Sequence, residues 1–159
     1  WFVVGLGPDD LWDIYLIRAA IEALAARRVA TRMSSQLRTQ LQSLIDQMAA
    51  AAERGDPEAL AAYDVRFHEQ IIQHGGSRQL QRVWRQLHPQ DWTIMSVLKL
   101  TGVSLVEMAQ RHQTVLDALS SGDPDWAEAV IQRHILELAQ RFLDLPPEQD
   151  ETSAPGTSN

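Results

Sequence analysis

Apolar residues recur every three or four positions from Asp10 to about Asp144, the period of an amphipathic helix. The pattern breaks at turn-forming clusters, and the breaks divide it into about six segments. The first runs roughly from Asp10 to Arg32, with "PDD" supplying a cap and negative charge at its start. Leu11, Ile14, Ile17, Ile21 and Leu24 mark its expected buried side. The second runs roughly from Ser34 to Arg54, with Leu37, Leu41, Leu44, Ile45 and Met48 on one face. In "RGDPE", Asp56 is placed to cap a third helix and Pro57 sits at its first position, where a missing N–H does no harm. That helix should end at "HGGS", with Gly75 or Gly76 in a left-handed cap. Ser77 is the expected cap of a fourth helix, broken or kinked near Pro89 and resuming through "DWTIMSVLKL". "TGVS" opens a fifth that reaches about Ser120, and "SGDPD" turns into a sixth that ends near Leu143. The fold class expected is all-α: an antiparallel bundle of about six helices over residues 10–144.

The segments outside this pattern read differently. Residues 1–9, "WFVVGLGPD", suggest a short β-strand and a linker, and the chain opens on Trp1 instead of methionine. Residues 145–159 are polar and rich in Pro and Ser, the composition of a disordered tail.

Composition narrows the function. The 159 residues suffice for one domain with a full core. No apolar run is long enough for a bilayer span, and the start lacks the features of a signal peptide. There is no cysteine, which removes disulfides and thiolate metal sites and fits a cytoplasmic location. A net charge of −7 argues against direct, general nucleic-acid binding by this stretch.

The third helix carries the chemistry. In "YDVRFHEQII", Leu60, Phe67 and Ile71 define an apolar face, and Asp64 and His68 fall on that same face. A buried carboxylate is rare unless it is paired or binds a metal. His112 lies on the side of Met108, Val115, Leu116 and Leu119, and His134 on the side of Val130, Ile131, Ile135 and Leu138. A single inward histidine is ordinarily a hydrogen-bonded core residue. Four such groups from three helices form a set that suits a divalent transition metal such as zinc, nickel or manganese. His74, at a helix end, and His88, before Pro89, are read as surface residues. Trp84, Trp92 and Met95 are read as core, and Lys99 as solvated.

Three stretches, "LWDIYLIRAAIEALAARRVA", "YDVRFHEQIIQHGGSRQL" and "RHQTVLDALSSGDPDWAEAVIQRHI", resemble the ligand-binding (FCD) domain of GntR-type transcription regulators of the FadR subfamily. The resemblance covers about Asp10 to Phe142 and implies a bundle of six or seven helices. It implies that Asp64, His68, His112 and His134 hold a metal at the centre. It further implies a small organic acid beside the metal, with Arg18 of the "R…E" pattern as its partner; a structural ion pair of Arg18 with Glu22 is the competing role. It implies a homodimer that reaches operator DNA through a winged-helix domain preceding this sequence, with residues 1–9 as the end of its wing and the linker. Arg111 stands where a Glu is common in the family, a change that removes one candidate for orienting His112. Two other functions fit the same residues: a metal-dependent hydrolase, which would need a general base near the metal, and a dimerisation module with a purely structural metal.

Overall fold

The computed structural model describes residues 8–87, 93 and 104–143. Among these, the chain forms α1 (Pro8–Ala30), α2 (Ser35–Glu53), α3 (Pro57–Gly75), α4 (Arg78–Gln86), α5 (Leu105–Ser120) and α6 (Pro124–Leu143). The architecture is all-α, as the periodicity predicts. The wing strand and linker, the tail after 143, the continuation of the fourth helix, and His88, Trp92, Met95 and Lys99 lie outside the described residues.

Helix starts follow the capping chemistry of the sequence. Ser34, Asp56, Ser77 and Ser104 each accept a hydrogen bond from the backbone N–H three residues on. Asp123 does the same for Trp126 and also accepts from Asp125, ahead of Pro124. Among the described residues, the left-handed glycines are Gly55 and Gly122, in the two "GDP" turns, with φ of 64° and 80°. The expected left-handed cap at "HGGS" is not found: Gly76 is extended, with φ −93°. Gly75 serves a different purpose there. A Cβ on it would lie 2.1 Å from the carbonyl oxygen of Ala25, so α3 ends with its backbone pressed against α1.

The largest packed pairs are α1 with α6, α2 with α3, and α2 with α5. α1 also packs on α3, and it joins the last helix more closely than its neighbour in sequence. Arg27 ties α1 to Asp125 and Glu128 at the start of α6. Arg28 and Arg32 donate to the carbonyls of Gly75 and His74, which closes the end of α3.

The buried faces of α2, α3, α5 and α6 are those expected, centred on Leu41, Met48, Phe67, Ile71, Leu116 and Ile131. The face of α1 is not. Ile17 and Leu24 are 47% and 41% exposed, while Ala19, Ala23, Ala25 and Ala26 are buried beside Arg18 and Glu22. Small side chains permit the close approach of α1 to α3 and α6, so the helix turns its alanines inward and some of its larger apolar residues outward.

Candidate metal centre

Asp64 and His68 project from α3 one turn apart, with Leu60, Phe67 and Ile71 burying the same face. His112 comes from the middle of α5 and His134 from the middle of α6. One ligand atom from each of the four lies within 4.8 Å of the others. Donors about 2.1 Å from a shared ion lie roughly 3–4 Å apart, so only small side-chain shifts separate this cluster from a coordinating one. The three imidazoles face one another, with ring centroids 4.6 Å apart for His112–His134, 5.3 Å for His68–His134 and 5.7 Å for His68–His112. Phe67 closes the cluster edge-on to His112 at 5.0 Å. Asp64, His68 and His112 are buried, and His134 is half-buried.

Hydrogen bonds choose which nitrogens face inward. His112 Nδ1 donates to the carbonyl of Met108 at 3.0 Å, so Nε2 is the free nitrogen. That Nε2 stands 2.9 Å from Asp64 Oδ1 but is buried and has no hydrogen bond of acceptable direction. A buried imidazole nitrogen that faces a carboxylate without a hydrogen bond is what a shared cation would satisfy. Three imidazole donors and one carboxylate, with no thiolate, fit the transition metals expected from the sequence.

The charges reinforce this. Burial pushes the Asp64 carboxyl up, but the approach of His112 and the charges of His68, His112 and Arg18 outweigh it and hold Asp64 well below the usual carboxylate range. Burial, then the neighbouring His112 and His68, push His134 well below an ordinary imidazole and keep it neutral, the form that can ligate a metal.

Arg18 is buried on α1, and its Nε donates to Glu22 Oε1 at 2.6 Å. The sequence-level alternative of a structural ion pair is therefore realised for Nε. Burial opposes its charge, but the nearby carboxylates of Glu22 and Asp64 raise its pKa above the ordinary value. The sequence marks Glu22 only as the partner of Arg18. Glu22 also meets His68 Nδ1 and accepts from Trp84 Nε1 at 3.0 Å. Despite full burial, the charges of His68 and Arg18 and the bonds from His68 and Trp84 lower its pKa to about 2. With its oxygens committed to these partners, Glu22 is poorly placed as the general base that a hydrolase needs.

Arg111 does not orient His112, whose Nδ1 is held by Met108 instead. Its guanidinium bonds the backbone carbonyl of His134 at 3.1 Å and Glu137 at 3.0 Å, bracing α6 against α5. A cavity of about 280 Å³ opens between these two helices, lined by Arg111, Val115, Trp126, Val130, Arg133 and His134 among others. His74 is exposed at the end of α3, bonded to the carbonyl of Gln70, and takes no part. No described helix is long and apolar enough to cross a membrane.

Comparison with known proteins bears on the family and the fold. The model of the FCD domain matches residues 13–137, a span that contains all four converging residues. The chain is 28% identical over 130 residues to a probable D-xylose utilization operon transcriptional repressor of Paenarthrobacter nicotinovorans, covering 82% of this chain and 57% of that protein. It is 28% identical over 135 residues to a putative L-lactate dehydrogenase operon regulatory protein of Escherichia coli (strain K12), covering 80% and 50%. It thus spans about half the length of these curated relatives. Among solved structures it is similar to Streptococcus agalactiae GntR, with TM-score 0.68, 21% identity, and coverage of 87% of this chain and 63% of that one. It is also similar to E. coli McbR/YncC, with TM-score 0.70, 21% identity, and coverage of 86% and 67%. At that identity the likeness is one of fold.

Proposed function

This chain belongs to the FCD-domain family, and we propose that it is the effector-sensing part of a bacterial GntR-type transcription regulator of the FadR subfamily. Its relatives are named as regulators and repressors of operons, not as enzymes. In this reading Asp64, His68, His112 and His134 hold one divalent transition metal: zinc, nickel or manganese. The observation that carries it is the buried, unbonded Nε2 of His112 facing the Asp64 carboxylate. A bound metal would act as a Lewis acid that holds an anionic ligand.

The effector is a small organic acid. Arg18, buried on α1 and within the electrostatic reach of Asp64, supplies a second anchor for its carboxylate. Operator DNA is met by a winged-helix domain that precedes α1 in the complete protein. An acid that binds at Arg18 and the metal would act on the helix nearest that domain. It changes operator affinity only as far as it prefers one arrangement of the bundle. A homodimer acting in the cytoplasm fits this role, since twofold operators call for twofold proteins. Exposed Leu16, Ile17 and Leu24 on α1 are apolar surface of the kind that subunits cover.

Elemental mass spectrometry of the purified chain tests the reading. About one transition-metal ion per chain is expected, largely lost in His134→Ala. No metal in either protein, even after addition of zinc, nickel or manganese, would remove the metal from the mechanism. The four residues would then be a buried polar network.

A further inference from the structure

Glu22 stands on α1, which contributes none of the four converging residues, yet it is fully buried and joins three helices. Its two oxygens face different chemistry. Oε1 accepts from Arg18 Nε at 2.6 Å and from Trp84 Nε1 at 3.0 Å. Oε2 faces His68 Nδ1. Arginine and the tryptophan indole can only donate, and an ionised carboxylate can only accept. The proton between Glu22 and His68 therefore belongs on Nδ1, which leaves Nε2 as the nitrogen His68 can offer to an ion.

We propose that Glu22 is the positioning residue of the metal centre: by accepting from Nδ1, it holds His68 with Nε2 as the ligating atom. The consequence for metal binding rests on the function proposed above; the hydrogen-bond assignment does not. An orienting carboxylate behind a ligating histidine fixes its ring and makes it a better donor, and loss of such a partner weakens metal binding about 10–100-fold. His112 shows the same device in simpler form, with the Met108 carbonyl on its Nδ1.

Glu22→Gln separates this role from a structural one. The amide has one oxygen and one NH₂ group, and two donors, Arg18 and Trp84, already compete for the Oε1 position. The oxygen therefore stays there, and the NH₂ turns to His68 Nδ1. Nδ1 must then accept, and its proton moves to Nε2. The variant keeps the volume of the side chain but gives His68 an N–H where a lone pair is needed.

The experiment is a long-range ¹H–¹⁵N correlation spectrum of His68 in the metal-free full chain, with zinc affinity measured beside it by competition with a chromophoric chelator. The wild type should show Nδ1 protonated. Glu22→Gln should show Nδ1 bare and Nε2 protonated, with zinc affinity lowered about 10–100-fold. Trp84→Phe removes one donor from Oε1 and loosens the same cluster. It should melt earlier while keeping Nδ1 protonated, because Arg18 still holds Oε1. A bare Nδ1 in the wild type, or the same protonation in wild type and Glu22→Gln, overturns the inference. The wild-type spectrum decides even if the Gln variant fails to fold. If the wild type binds no zinc but the tautomer switches, the metal reading falls and the positioning of His68 stands. If zinc binds both proteins equally, the positioning role falls and the metal reading stands.

Discussion

His112 Nε2 stands 2.9 Å from Asp64 Oδ1 in a buried site without a hydrogen bond, and charged or titratable groups crowd around the pair. Glu22 ionises at about 2 in the folded chain against 4.5 when unperturbed, and Asp64 is displaced in the same direction from 3.8. The unfolded chain thus takes up these protons first as pH falls. The stability they lend is fully present above their unfolded values and is lost as pH falls through about 4.5 toward the folded ones. His134 is held neutral in the fold, whereas the unfolded imidazole protonates near 6.5. Its burial therefore begins to weigh against folding as pH drops below 6.5. Chelator-treated protein should show a urea midpoint that declines in two stages on acidification, the first below about 6.5 and the second below about 4.5. His134→Gln should remove the first stage, and Glu22→Gln should weaken the second. A midpoint unchanged from neutrality down to pH 5 would contradict the account of His134. At this scale the four converging residues were legible because each lies on an apolar helical face. The roles of Glu22 and Trp84 were not. Glu22 meets His68 and Trp84 across 46 and 62 residues of sequence, and no local pattern announces such a meeting.

Helix α1 shows where hydrophobic periodicity misleads. Ranking residues by apolar size selects Ile17 and Leu24 as buried, yet Ala19, Ala23, Ala25 and Ala26 are the residues that face the bundle. Close helix pairing rewards small side chains, which a period of large ones does not reveal. Capping residues, in contrast, act within a few positions of themselves, so the helix starts at Ser34, Asp56, Ser77 and Ser104 could be read directly. The contact of α1 with α3 yields a sharp prediction. In Gly75→Ala the new Cβ would lie 2.1 Å from the Ala25 oxygen and 2.6 Å from its carbonyl carbon. Both neighbours are backbone, so no side chain can swing aside and the helices must separate. That should destabilise the chain by about 2–3 kcal/mol in urea unfolding. It should also weaken zinc binding, because Glu22 on α1 and His68 on α3 would be drawn apart. Gly55→Ala makes the comparison. Its φ is 64° and no atom lies within 4 Å of the new Cβ, so only backbone strain of about 1 kcal/mol is expected, with zinc affinity unchanged. Equal losses in the two variants would mean that the α1–α3 contact is softer than its geometry indicates.

For the whole molecule, the candidate metal centre is a junction. Its candidate ligands come from α3, α5 and α6, and Glu22 and Trp84 extend the network to α1 and α4. An ion bound there would add a tie among α3, α5 and α6 to their packing and to the Arg111 bonds between α5 and α6, and it would bind the folded chain much better than the unfolded one. By linkage, free zinc at a hundred times its dissociation constant stabilises the fold by about 2.7 kcal/mol. For a chain of this size that is a rise in Tm of roughly 5–10 °C. The rise should reverse with a chelator and be small in His134→Ala, whose own Tm should lie near that of the chelated wild type. A similar zinc response in both proteins would assign the effect to surface sites. The same measurement separates a sensor from a merely structural metal. If the bundle reads an organic acid through the ion and Arg18, small carboxylates should add a second increment to the zinc-loaded wild type and little to the chelated one. A zinc shift with no such increment across a varied set of acids would leave an ion that only braces the bundle. The signal to DNA would then have to enter elsewhere.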